Sequence, residues 1–188
     1  AAEFADFSWL PDGSGFYMTT NLDREHLALA KYTLADQQLE FVQSPKYDVG
    51  NVKLGAGGRY LVWTTNVDGY SRLHAMDTEL NAAVEVPELA EGVYSLDLAA
   101  DALAASIRVS GPATPGDVVV WDMTTGDAQT TVPSSLAGLP ADSFVTPQSL
   151  RFPARDGVEL QGLLYLPEEH PMPLRPVLIQ AHGGPSGQ

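Results

Sequence analysis

Short runs of apolar and β-branched residues, each bounded by turn residues, recur along the first two-thirds of the chain. Residues 16–20, 60–65 and 103–109 are three such runs, and Tyr17, Tyr60 and Leu103 within them stand 43 residues apart. A turn signal precedes each run: Pro11-Asp12-Gly13-Ser14-Gly15, then Gly55-Ala56-Gly57-Gly58, then Ala99-Ala100-Asp101. A second landmark ends a later run in each unit. These are Tyr32-Thr33, Met76-Asp77 and Trp121-Asp122, at offsets of 44 and 45. Such small drift is what loop-length variation between equivalent units produces.

The pattern in the second unit predicts four strands, near 50–54, 60–65, 71–77 and 82–86, with Asp68-Gly69 as one of the turns. Thr124-Thr125-Gly126 marks a turn of the same kind in the third unit. Four short strands in about 43 residues is the arithmetic of a β-propeller blade. One such sheet cannot cover both its faces alone, so it must stack on neighbours. A sandwich with coincident spacing is the alternative. Helical periodicity is weak throughout, and its best stretch, 79–91, contains Pro87. Residues 1–133 therefore read as three four-stranded blades. Closed propellers generally need about four to eight. An open stack of three would bare an apolar face at each end. The chain is thus expected to be part of something larger, or to self-associate through exposed blade faces.

After residue 133 the repeat stops. Residues 134–148, rich in small residues, Gly and Pro, read as a linker. An Asp156-Gly157 turn between extended runs at 149–152 and 158–167 predicts a hairpin, because that turn needs positive φ. Pro176-Val177-Leu178-Ile179-Gln180-Ala181 then reads as a buried strand running into His182-Gly183-Gly184-Pro185. A strand that ends in His-Gly-Gly can present a backbone N–H to a cleft, since glycine lets the chain turn and leaves no side chain in the way. In α/β-hydrolases an N–H of this loop forms part of the oxyanion hole.

Blades, linker, hairpin and a strand ending His-Gly-Gly-Pro occur in this order in the prolyl oligopeptidase family of serine peptidases. The chain resembles the acylaminoacyl-peptidase and dipeptidyl-peptidase-like members over essentially its whole length. The residues that carry the resemblance begin with Trp9-Leu10-Pro11-Asp12-Gly13 and Asn66-Val67-Asp68-Gly69-Tyr70-Ser71-Arg72-Leu73 in the first two units. Pro115-Gly116-Asp117-Val118-Val119-Val120-Trp121-Asp122 carries it in the third, followed by 152–167 and by His182 to Gln188. The resemblance implies a mainly β fold, three four-stranded β-propeller blades followed by the first strands of an α/β-hydrolase domain at 149–188. It implies a parent enzyme that hydrolyses short peptides by a Ser-His-Asp mechanism beneath a propeller cap. Carried over by position, Gly184 would offer its N–H to the oxyanion, Gly183 would permit the loop and His182 would brace it.

The sequence departs from the family in one respect. It holds no Gly-x-Ser-x-Gly, and Ser186 in Gly183-Gly184-Pro185-Ser186-Gly187 stands in the wrong slot. The family's nucleophile, Asp and His would all lie beyond Gln188. Removing a whole triad elsewhere costs about 2 × 10⁶ in kcat, so these 188 residues alone are expected to be inactive. A non-enzymatic propeller that serves as an interaction module, and an esterase of the hydrolase superfamily, are the rival readings.

Composition narrows the partners. With 24 acidic against 10 basic residues the net charge is −14, a field that repels nucleic acid and anionic lipid. No apolar stretch approaches the ~18 residues of a membrane span. Cysteine is absent, which removes disulfides, thiol nucleophiles and Cys-ligated metals. His26, His74, His170 and His182 lack metal-site spacing, so no metal or cofactor is expected. Trp9, Trp63 and Trp121 recur near strand ends, where core packing is the expected role. The start of the chain lacks the basic and apolar segments of a signal peptide. The expected compartment is the cytoplasm, with periplasm and secretion left open.

Overall fold

In the computed structural model, residues 2–99, 103–166 and 176–181 are described. The chain divides into two units, Ala1–Leu136 and Ala137–Gln188. In the first unit the runs form strands and the turn signals reverse them. The first sheet is β1 (Phe4–Trp9), β2 (Gly15–Thr20), β3 (Ala28–Thr33) and β4 (Gln38–Gln43). The second is β5 (Val49–Leu54), β6 (Tyr60–Val67), β7 (Tyr70–Asp77) and β8 (Ala82–Ala83). The third is β9 (Val93–Leu98), β10 (Ala104–Ser110), β11 (Asp117–Asp122) and β12 (Ala128–Val132). Each is a four-stranded antiparallel meander whose strands pair in sequence order. The Asp68-Gly69 turn joins Val67 to Tyr70, with φ of 56° and 83° at its two central residues, as a two-residue hairpin of this hand requires.

Side chains alternate across each strand, and in β6 the alternation serves two neighbours. Leu61 and Trp63 point to the first blade, in a core with Tyr17, Leu29, Val49, Val52 and Met76. Val62 points the other way, to a core with Leu73, Ala75, Tyr94, Leu96, Ile107 and Trp121. Hydrogen bonds tie the blades as well. Val49 N donates to Leu27 O (2.9 Å) and Leu54 N to Ser8 Oγ (2.9 Å). Ser71 N donates to Gly92 O (2.8 Å) and Tyr94 N to Ser71 Oγ (3.0 Å). The register of β1 on β2 slips between Ala5 and Ser8, and that of β5 on β6 between Gly50 and Lys53. Within the slips, Asp6 and Asn51 adopt φ of 52° and 53°. The bulge turns Asn51 Nδ2 onto Tyr94 O of the third blade and Thr64 Oγ1, both at 3.1 Å.

The two outward faces of the stack differ. On the first blade Phe7 and Trp9 are 55% and 58% exposed, and both rings lie against Phe16, which stacks on Tyr32. On the third, β9 and β10 turn Ser95, Asp97, Ser106, Arg108 and Ser110 outward. The outward face of the third blade is thus mixed, more polar along β9 and β10 than the apolar face expected at each end. The outward positions of these two strands are polar apart from Val93, 58% exposed, and Ala104, and the valines of β11 and β12 add further apolar surface there.

In the second unit, β13 (Gln148–Pro153) and β14 (Glu159–Leu164) form the expected hairpin, with Gly157 at φ 85°. Leu150, Phe152, Leu160 and Leu164 share one face. The other face carries Arg151–Glu159 at 2.6 Å and Gln161 Nε2 donating to Ser149 Oγ at 3.2 Å. This hairpin is the only sheet among the described residues of the unit, so the expected α/β-hydrolase strands beyond it have no counterpart there. No helix among the described residues is long and apolar enough to cross a membrane.

Candidate functional site

His182, Gly183 and Gly184, the expected oxyanion loop, and Ser186 beside them lie outside the described residues. The segment that leads to them is described and corrects an expectation. Residues 176–181 form no strand, and Val177, Leu178 and Ile179 are 81%, 93% and 87% exposed. A buried strand needs ladder partners and a covered face. The one sheet described in this unit is the β13–β14 hairpin, whose strands pair with each other.

The recurring Asp of Met76-Asp77 and Trp121-Asp122 is a turn residue. Asp77 Oδ1 accepts from Glu79 N and Leu80 N, both at 3.0 Å, and Oδ2 from Arg59 Nε at 2.7 Å. Burial pushes this carboxyl up, but the two amides and the guanidinium outweigh it and hold it below the usual carboxylate range. Asp122 is held low in the same way by the Thr124 hydroxyl and the amides of Thr124 and Thr125. These carboxylates are engaged in closing β-turns, which leaves them no part in acid–base chemistry.

Trp63 and Trp121 are buried as expected, while Trp9 is exposed on the outward face of the first blade and departs from that expectation. His26 Nδ1 lies 3.6 Å from Asp48 Oδ1 at the surface. His74 is half-buried, stacks on Trp63 at 5.5 Å, and shares a hydrogen bond of 2.9 Å with Thr65 Oγ1. Burial depresses its basicity, so the neutral imidazole is favoured. Among the described residues no cluster of His, Asp and Glu could hold a metal ion.

One concavity was not foreseen. A groove of about 460 Å³ runs between β4 and the outer rim of the second blade, lined by Val42, Trp63, His74, Ala83 and Val86 among others. It exists because β8 ends after two residues, where the sequence reading carried the strand to residue 86. Pro87 was the available signal, since it cannot donate to a ladder.

Neither known protein families nor curated proteins show a match to the sequence. Solved structures do match. A puromycin hydrolase superposes with a TM-score of 0.71 at 18% identity, over 88% of this chain and 26% of that one. A puromycin-hydrolyzing peptidase of Mycobacterium tuberculosis gives 0.73 at 18%, over 87% and 26%. Prolyl oligopeptidase B from Galerina marginata gives 0.72 at 16%, over 86% and 23%. The chain has the fold of part of a prolyl oligopeptidase. It spans about a quarter of the length of these structures. The prolyl oligopeptidase fold accounts for four-stranded meanders stacked face to face, which a sandwich of coincident spacing does not.

Proposed function

We propose that this chain is the stretch of a serine peptidase that runs from a β-propeller into the catalytic domain, and that the whole enzyme hydrolyses short peptides by acyl transfer. The observation that carries this reading is the superposition of 88% of the chain on a puromycin hydrolase, with similar coverage of prolyl oligopeptidase B. The His182-Gly183-Gly184 loop follows the hairpin in sequence, in the order that the acyl-transfer reading requires. Gly184 N–H donates to the oxyanion of the tetrahedral intermediate, Gly183 lets the chain turn, and His182 braces the loop. The substrates include aminoacyl amides of the puromycin type, and the acidic surface keeps nucleic acid and membranes away. The enzyme works in the cytoplasm without a metal or cofactor.

The 188 residues alone carry no Gly-x-Ser-x-Gly and do not turn over substrate. The test assays this chain and the full product of its gene with aminoacyl and peptidyl nitroanilides, puromycin and a nitrophenyl ester. The expected result is no turnover by the chain and amide cleavage by the full product. Gly184→Pro, which deletes the donor, should lower kcat by about 10²–10³. Cleavage of the ester alone selects an esterase. No turnover of any substrate by the full product selects an interaction module.

A further inference from the structure

The junctions between blades reuse the same register positions, and the first blade presents those positions to solvent. In the second blade Val49, Val52, Leu54, Leu61 and Met76 pack toward the first. Trp9 pairs with Phe16 and Phe16 with Tyr32, as Leu54 pairs with Leu61 and Leu61 with Met76. Phe4 pairs with Thr20 as Val49 pairs with Thr65. Phe7 follows the bulge at Asp6 as Val52 follows the bulge at Asn51. The aromatic face of the first blade is therefore the receiving half of a blade junction. Leu61 is fully enclosed in its own junction, whereas Phe4, Phe7 and Trp9 are 47%, 55% and 58% exposed.

A backbone contact recurs at these junctions too. Val49 N donates to Leu27 O of the first blade. Tyr94 N, at the matching register position of the third blade, donates to Ser71 Oγ of the second. Phe4 N makes no such bond among the described residues. The complementary half is carried by Tyr17 and Val62, each packed forward into the core it shares with the next blade. At their register position the third blade has the exposed Ser106, with Arg108 two residues on. A second copy stacked head to tail would set these polar groups on the aromatic face, and two chains of charge −14 repel each other.

We propose that the aromatic face of the first blade receives a further four-stranded blade of the same polypeptide, stacked as the first blade stacks on the second, with Phe4 N donating to it. Continuity with two junctions of one design argues for this occupant, and contiguous exposed apolar surface calls for cover. The incoming blade presents apolar side chains at the positions of Tyr17 and Leu29 and an acceptor at that of Leu27 O. This inference rests on blade packing and holds whether or not the whole protein is a peptidase.

The test compares this chain with the full product of its gene. Hydroxyl-radical footprinting with mass spectrometry reads Phe7 and Trp9, and hydrogen exchange reads the Phe4 amide. In this chain both rings should be labelled and the amide should exchange rapidly. In the full product labelling of both rings should be lost, and the Phe4 amide should exchange at least about tenfold more slowly. Phe7→Asp should lower the unfolding midpoint of the full product more than that of this chain. Equal labelling of the two proteins, or equal exchange at Phe4, overturns the proposal. So does protection of Trp9 in this chain alone with concentration-dependent sedimentation, which makes a second copy the occupant.

Discussion

Leu61→Ala probes the stacking of the first blade on the second. The side chain is fully enclosed, with Tyr17 and Leu29 of the first blade and Val49, Val52, Trp63 and Met76 of the second in the same core. Three carbons are lost, worth about 2.4 kcal/mol at ~0.8 kcal/mol per methylene. Ladder hydrogen bonds hold both sheets, so the site collapses poorly. A residual void of roughly 50–80 Å³ adds about 1–2 kcal/mol at ~24 cal/mol per Å³. The sum is about 3.5–4.5 kcal/mol, which in a unit of this size lowers Tm by roughly 10–20 °C. Urea unfolding followed by tryptophan fluorescence measures it, since Trp63 reports from the same core. Leu80→Ala is the control: at 70% exposure it should change stability by no more than about 0.5 kcal/mol. A cost below about 1 kcal/mol for Leu61→Ala would mean that the side chain is not enclosed and that the two blades do not stack in this way.

Acid should destabilise the chain in two stages. His74 is less basic folded than unfolded because of burial, so stability falls as pH drops below about 6.5. Asp12, Asp77, Asp117 and Asp122 are held low when folded, so their contribution is complete above about pH 4 and drains below it. Urea midpoints from pH 8 to 3 measure both stages; His74→Gln should abolish only the first, and its persistence in that variant refutes the assignment. Gly111→Ala would set its Cβ against the Glu91 carbonyl, and on the facing strand the Cβ of an alanine at Gly92 would sit 2.6 Å from Ser110 O. Backbone must move to admit it, at a cost of about 1–3 kcal/mol by denaturant unfolding, and a neutral result contradicts the close approach. Asn51→Ala loses both bridging bonds and retains a left-handed backbone, for about 1–3 kcal/mol, whereas Asn51→Gly, relieved of the strain, should cost less. Equal losses would place the whole effect in the hydrogen bonds. Limited trypsin digestion of the full chain should cut at Arg151 and Arg155 of the exposed hairpin before Arg59 and Arg72 of the second blade, as mass spectrometry of the early fragments will report.

The blades were legible because their signals are local. A period of two along each strand and Asp-Gly at φ-positive turns give element, register and repeat together, and the 43-residue spacing then gives the architecture. Three features resisted for physical reasons. The premature end of β8 depends on where Val84 and Val86 find a core, which is a tertiary contact. The bulges at Asp6 and Asn51 leave no mark in hydropathy, since one inserted residue shifts the pattern only locally. Residues 176–181 have the composition of a buried strand, but composition reports what a segment could bury and not whether a sheet is there to receive it. The exposure of Trp9 has the same origin, since aromatic residues pack only where a second surface meets them.

The two units stand on different footings, and that bears on function. The second blade is covered on both faces by its neighbours, so the stack closes its own core within residues 2–136. The hairpin that follows is amphipathic, with Leu150, Phe152 and Leu160 each more than 40% exposed on one face. Two strands alone bury too little to be stable in water, and the run at 177–179 exposes still more apolar surface. A scaffold made only of blades has no use for either segment. Both call for a further surface to cover them. In the proposed reading that surface belongs to a catalytic domain, and the exposed apolar residues of the second unit are what favours it over a passive propeller.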